Sequence, residues 1–225
     1  MRKVIVGAMV SMDGVMQAPG GPDEDPTGGF RFGGWTASVP DTDPVFGKEL
    51  GKLFGEPFEL LLGRRTYEIF AAYWPDAEGG AYDAIAGTFN RTTKYVATRR
   101  GVELTWKGSV ALGDATKDVA RLKQKDGPVL LTQGSTELVH SLLAAGLVDE
   151  IRVFTFPVLL GKGKRLFDAT SEPRAFKLTH SAVSPNGLVA ATYVRDGEVK
   201  TGTVGGGQEP TPAELARREK LKREG

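Results

Sequence analysis

Cysteine is absent from the 225 residues, which excludes a disulfide framework, a thiol nucleophile and a thiolate metal site. Histidine is scarce: His140 and His180 are the only two. That is too few for a multi-histidine centre, and no bound metal is expected. Neither sign of charge is in surplus. Lys plus Arg number 29 and Asp plus Glu 28, a net charge of +1, so the basic excess of a dedicated nucleic-acid binder is missing. No apolar run approaches the roughly 20 residues of a membrane span. The start at Val4-Ile5-Val6 also lacks the longer apolar stretch of a signal peptide. The expectation is a reduced, cytoplasmic protein with neither nucleic acid nor membrane as partner. The rest is ordinary, 40% hydrophobic and 25% charged, in a length of about one domain.

Glycine is abundant, 30 residues or about twice the usual share of roughly 7%, and several glycines end apolar runs. Short β-branched runs predict strands over Lys3 to Val10, Phe58 to Leu62, Thr93 to Ala97, Pro128 to Thr132 and Glu150 to Val158. A short extra strand is expected around Leu104 to Trp106. Two alternating runs follow, Arg174 to Ser184 and Gly187 to Arg195, and Pro185-Asn186-Gly187 between them signals a hairpin. Helical spacing lies between the strands. Asp43-Pro44 reads as an N-cap with proline at the first position, followed by Phe46, Leu50, Leu53 and Phe54 on one face. Further helices are expected from Thr66, around Tyr82 to Phe89, after Asp114, and from Ser135 or Thr136 to Gly146. Alternating strands and helices predict an α/β fold of three αβα layers. Its sheet is mixed and mostly parallel, of about eight strands ending in an antiparallel hairpin. The domain is expected over residues 1–197. Residues 198–225 read as a Gly-rich linker and a short charged helix opened by Thr211-Pro212-Ala213-Glu214.

In open α/β sheets ligands bind outside the carboxyl ends of the parallel strands. There the sequence places Gly63-Arg64-Arg65-Thr66, Thr98-Arg99-Arg100-Gly101 and Gln133-Gly134-Ser135-Thr136. Two of these lead into helices, whose free N–H groups and dipole favour an anion. Four arginines, suited to bidentate phosphate contacts, stand at the same edge. Together they point to a phosphate-rich ligand such as a dinucleotide carrying a third phosphate. Gly63 could equally end a strand, and Arg99-Arg100 could be a solvated pair. No Walker pattern and no Gly-x-Gly-x-x-Gly follows the first strand.

The motifs resemble a family. Ser11-Met12-Asp13-Gly14-Val15, Gly63-Arg64-Arg65-Thr66-Tyr67-Glu68 and Gln133-Gly134-Ser135-Thr136 stand in the order of the dihydrofolate reductase-like superfamily. Leu147-Val148-Asp149-Glu150, then Pro157 to Gly163 and Leu166-Phe167, is similar to the C-terminal reductase domain of bacterial riboflavin biosynthesis. The resemblance implies an NADPH-dependent oxidoreductase that transfers a hydride to a pterin-like or pyrimidine-like small molecule. It implies that Ala8 and Val15 line the nicotinamide, that Gly63, Arg64, Arg65 and Thr66 hold phosphates, and that Thr98 and Arg99 meet the adenosine end. Gln133, Gly134, Ser135, Thr136 and Leu138 would lie under the pyrophosphate and nicotinamide, with Trp35, Glu49, Leu50 and Phe54 on the substrate side. Gln17 to Trp35 would be a mobile cover. Related domains pair through C-terminal strands, so a homodimer is expected.

Two acids of the pattern are missing. The helix after the loop has Phe46-Gly47 where folate reductases carry a carboxylate, and Gln133 replaces the glutamate of pyrimidine reductases. Asp13 is left as a candidate proton donor, although Asp before Gly is also a turn residue. Loss of both acids keeps a second class open, a nucleotide-binding or regulatory protein of this fold without turnover. A third is a structural subunit whose terminal helix recruits a partner.

Overall fold

Val4, Ile5 and Val6 are each almost wholly buried. A run buried on both faces belongs in the middle of a sheet covered on both sides, and the computed structural model has it there. The structure describes every residue except 80, 81, 99–101, 170, 204–206, 208 and 225. The strands are β1 Val4–Ser11, β2 Phe58–Gly63, β3 Lys94–Ala97, β4 Ser109–Leu112, β5 Val129–Thr132, β6 Glu150–Phe156, β7 Phe176–Val183 and β8 Val189–Arg195. They form one sheet in the order β4-β3-β2-β5-β1-β6-β8-β7. The pairings from β4 across to β6 are parallel, whereas β8 and β7 are added antiparallel. The helices are α1 Pro44–Gly55, α2 Arg64–Tyr73, α3 Asp83–Arg91, α4 Ala115–Lys123, α5 Thr136–Ala144 and α6 Pro212–Glu224.

The strand period of two sorts the core into two layers. Val4, Val6, Ala8 and Leu61 face Val119, Val139 and Leu142 of α4 and α5. Ile5, Leu60 and Leu62 face the other side, with Leu53 of α1, Tyr67 of α2 and Phe89 of α3. Phe89 centres an aromatic cluster there, edge-on to Phe54 at 5.3 Å and Trp74 at 4.8 Å and stacked on Phe70 at 5.8 Å. Such pairs add about 0.5–1.5 kcal/mol each beyond area burial. This cluster fixes α1, α2 and α3 around one end of the sheet.

The strand expected at Leu104 to Trp106 does not form. The Trp106 backbone N–H instead donates to the Tyr67 hydroxyl at 3.0 Å, and its indole N–H to Asn90 at 2.8 Å. The strand starts three residues later, at Ser109, and pairs parallel with β3. The Pro185-Asn186-Gly187 turn joins β7 to β8. The Gly187 N–H closes it onto the Ser184 carbonyl at 3.0 Å, and only the glycine adopts a positive φ, of 86°. β7 is the sheet's edge, with Leu178 and Val183 exposed. α6 contributes no buried residue, and much of the glycine run expected as its linker lies outside the described residues. No helix among the described residues is long and apolar enough to cross a membrane.

Candidate active site

β2 and β5 are parallel neighbours, with Leu60 opposite Leu131, so the helices that follow them start side by side. The contact between these starts is close. The Gly63 N–H donates to the Gly134 carbonyl at 3.2 Å. A Cβ at Gly63 would lie 2.1 Å from Ser135 Oγ, and one at Gly134 would lie 2.9 Å from Thr66 Oγ1. Gly134 has φ of 132°, and the Gly134–Ser135 peptide is cis.

The two starts also share an electrostatic character. α1 and α4 are capped by carboxylates: Asp43 accepts from the Val45 and Phe46 N–H groups, and Asp114 from that of Lys117. α2 and α5 begin on Gly63 and Ser135 with no side-chain cap. The first N–H groups of a helix have no partner within it. Here two sets of them, with the positive ends of two dipoles, are offered to an outside acceptor.

They open on a cleft of about 730 Å³. Its floor is Gly7, Ala8 and Met9 of β1 with Phe154 of β6, and its walls include Leu50 and Phe54 of α1 and Ile69 and Phe70 of α2. The segment Met16 to Asp25 roofs it. Hydrogen bonds and ion pairs tie this segment down over the cleft. The Gln17 side chain donates to the Asp25 and Thr27 carbonyls, both at 2.9 Å, and accepts the Lys164 N–H at 3.1 Å. Trp35 donates its indole N–H to the Gln17 carbonyl at 2.8 Å. Asp25 binds the Lys164 ammonium at 2.5 Å and lies 3.5 Å from the Arg65 guanidinium. Burial alone would raise its pKa, but the Lys164 and Thr27 contacts outweigh burial and hold it below the usual carboxylate range. Glu24, also lining the cleft, is shifted the other way. Burial and the neighbouring Asp25 charge push its carboxyl up, against the Gly20 and Gly21 N–H groups that bind it.

Nine of the residues expected at the site line this cleft: Ala8, Leu50, Phe54, Arg65, Thr66, Gln133, Gly134, Ser135 and Thr136. Gly63 stands just behind them as the spacer between the two helix starts. Others are elsewhere. Leu138 faces the core from the far side of α5, and Val15 is fully buried and bridged to Arg165. Trp35 is buried edge-on to Phe156 at 5.4 Å, supporting the roof from outside the cavity lining. Glu49 lies off the cleft, held by Lys52 at 2.7 Å and His180 at 3.0 Å. Arg64 is half-exposed and bound to Glu68 at 2.8 Å. Thr98 follows β3, its N–H on the Leu112 carbonyl at 3.2 Å, and Arg99 lies outside the described residues.

Asp13 does not fit a proton donor. Its carboxylate accepts from the Ser11 hydroxyl at 2.7 Å and from the Leu160 and Gly161 N–H groups at 3.1 and 2.9 Å, and it pairs with Arg165. The Ser11 bond, with these backbone bonds, holds its pKa down, the reverse of what an acid catalyst needs. It pins the loop after β6. His140 is likewise a tie to that loop, its Nε2 at 3.1 and 3.0 Å from the Arg165 and Leu166 carbonyls. The cleft-lining residues that sequence reasoning did not single out, Glu24, Asp25 and Lys164, belong to two loops that only the folded chain brings together.

A sheet in this order, with a C-terminal antiparallel pair and helices around it, is the dihydrofolate reductase-like fold. Dihydrofolate reductase from Enterococcus faecalis, solved with NADP(H) and RAB-propyl, superposes with a TM-score of 0.55 at 13% identity over 86% of this chain and 96% of that one. A pyrimidine reductase-like protein from Corynebacterium diphtheriae gives 0.54 at 12% identity, over 87% and 92%. A protein from Shewanella sp. PV-4 provisionally assigned to riboflavin biosynthesis gives 0.63 at 22% identity, over 86% and 99%. More narrowly, the RibD C-terminal domain family matches residues 2–190, and the chain belongs to it. It is also similar to the uncharacterized protein YyaP of Bacillus subtilis (strain 168), 24% identical over 193 residues, covering 85% of this chain and 94% of that protein.

The Gly63 contact makes a prediction. Gly63→Ala forces β2 and the α5 start apart, and overpacking of this kind costs about 1–3 kcal/mol. Urea denaturation should detect that loss, and a variant as stable as the parent would show that the two helix starts are free to separate.

Proposed function

We propose that the protein is an NADPH-dependent reductase of a small heterocycle. The observation that carries the reading is the pair of uncapped helix starts, at Gly63 and Ser135, opening side by side on one cleft. Capping carboxylates would repel a pyrophosphate, and these two helices lack them. Backbone N–H groups, the Ser135 and Thr136 hydroxyls and the Arg65 guanidinium form a donor set suited to phosphate oxygens. When bound, the nicotinamide supplies the hydride. The chain's own part is to hold the phosphates, present a flat apolar floor through Ala8 and Met9, and keep water out with the fastened roof.

A reduction of this kind also needs a proton, and neither Gln133 nor Asp13 suits that role. Glu24 lines the cleft with its carboxyl raised by burial, and we assign it the proton. The acid form is lost as pH climbs through the raised pKa, so turnover falls with rising pH. Glu24→Gln should lower kcat and flatten that alkaline limb while leaving cofactor affinity unchanged. An unaltered pH profile would remove Glu24 from the mechanism.

Arg65 lines the cleft and Arg64, its neighbour in the first turn of α2, points away to Glu68. We assign Arg65 to the phosphates both cofactors share and Arg64 to the third phosphate. Each charge-assisted contact contributes about 1.5–3 kcal/mol. Arg65→Ala should weaken NADPH and NADH alike, and Arg64→Ala should weaken NADPH selectively. Fluorescence titration with both cofactors, followed by NADPH oxidation in the presence of pterins and pyrimidinones, tests the whole reading. Binding without oxidation of NADPH by any of them would favour the alternative, a nucleotide-binding protein without turnover, which Gln133 in place of an acid also suits.

We also propose a homodimer through β7, the edge strand that leaves Leu178 and Val183 exposed, a feature that invites pairing. Light scattering should give twice the chain mass of 24.1 kDa; a monomer would overturn the proposal.

A further inference from the structure

The cleft does not end at α1. A second chamber of about 380 Å³ lies between α1 and α3, walled by Phe46, Leu50, Phe54, Ile85 and Phe89. The first four of these also line the main cleft, so the two spaces share a wall and the chamber extends the cleft outward.

The chamber exists because side chains are missing from the α1 face. Gly47 and Gly51 line it, four residues apart on one side of the helix. Neither has a positive φ, and a Cβ at either would meet nothing within 4 Å. Glycine inside a helix is unfavourable relative to alanine, and here no backbone conformation and no close neighbour requires it. The glycines leave volume open between two helices that otherwise pack through aromatic rings.

The charge of the chamber is one-sided. Asp41 and Tyr82 are its only titratable groups among the described residues, and no Lys or Arg lines it. The Tyr82 hydroxyl is hydrogen-bonded to Asp41. The flanking segment from Asp76 to Asp83 adds Asp76, Glu78 and Asp83 with no basic residue. The cations of the main cleft, Arg65 and Lys164, are both drawn to Asp25 in the roof, and neither lines the chamber. On the α1 side Lys48 and Lys52 follow the two glycines, but neither lines the space and Lys52 is held by Glu49, so an anionic group entering here would meet apolar walls and an aspartate with no cation in the lining to compensate it.

We propose that the α1–α3 chamber receives an apolar arm of the substrate that is uncharged or basic at its tip, and that it excludes arms ending in carboxylate or phosphate. The inference rests on the reductase reading, because the arm must belong to a ring held in the adjoining cleft. It narrows the substrate class to heterocycles with a hydrophobic substituent, distinct from glutamylated or sugar-phosphate derivatives.

The test is made on the full chain with fragments that carry the arm alone, so that it does not depend on the ring or the cofactor. Phenylbutylamine, phenylbutanol and phenylbutyrate are titrated while backbone amide resonances are followed by NMR. The amine and the alcohol should shift Gly47, Gly51 and Thr88, with dissociation constants at least about tenfold below that of the acid. Gly51→Leu should abolish these shifts. Thr88→Lys, which places a cation on the chamber wall, should recruit the acid and keeps the test decisive should the leucine variant misfold. Equal or tighter binding of the acid, shifts confined to other regions, or no binding of any fragment would each overturn the proposal. NADPH titration of the same sample decides the reductase reading separately.

Discussion

The structure depends on how closely two parallel strands deliver their helices to one point. Gly63 and Ser135 approach until no Cβ fits between them. That contact fixes the spacing of the two helix starts, and the spacing fixes where their free N–H groups converge. Everything else in the cleft is arranged around it. β1 supplies a floor with Gly7 passing under Leu53, where a Cβ would lie 2.8 Å from the leucine. The aromatic cluster around Phe89 holds α1 and α2 as the walls.

Charge in the cleft is graded rather than uniform. Donors and cations gather at the helix starts and under the roof, where Arg65 and Lys164 share Asp25. Toward α3 the lining turns apolar and then acidic. The space is therefore polarised along its length, rich in donors at one end and apolar at the other. The fold sets this gradient through local choices: Asp43 caps the start of α1, while the adjacent starts of α2 and α5 have no side-chain cap.

Much of this was legible in the sequence because it is written in local signals. The β-branched runs, the Asp43-Pro44 and Asp114 caps, the Pro185-Asn186-Gly187 turn and the glycines ending β2 and β5 act over a few residues. What was illegible acts over distance. β4 has an exposed, irregular pattern and pairs only along the edge of β3, so Trp106, three residues earlier, drew the expectation toward itself. Leu138 sits two residues after Thr136, a little over half a turn round α5, and so turns into the core. Asp13 has the residue type of an acid catalyst, but its partners Leu160, Gly161 and Arg165 come from a loop nearly 150 residues later in the chain. Residue type alone does not show which groups a carboxylate will meet.

The same separation has a consequence for how the protein is made. The roof of the cleft lies within the first 25 residues of the chain, yet one of its ties, Lys164 to Asp25, spans 139 residues. Lys164 follows β6, which must first take its place beside β1. The Gln17 bonds to Asp25 and Thr27 close within the loop itself, whereas the ties to Lys164 wait until β6 has been made. During synthesis both helix starts therefore emerge before the last of the roof's ties.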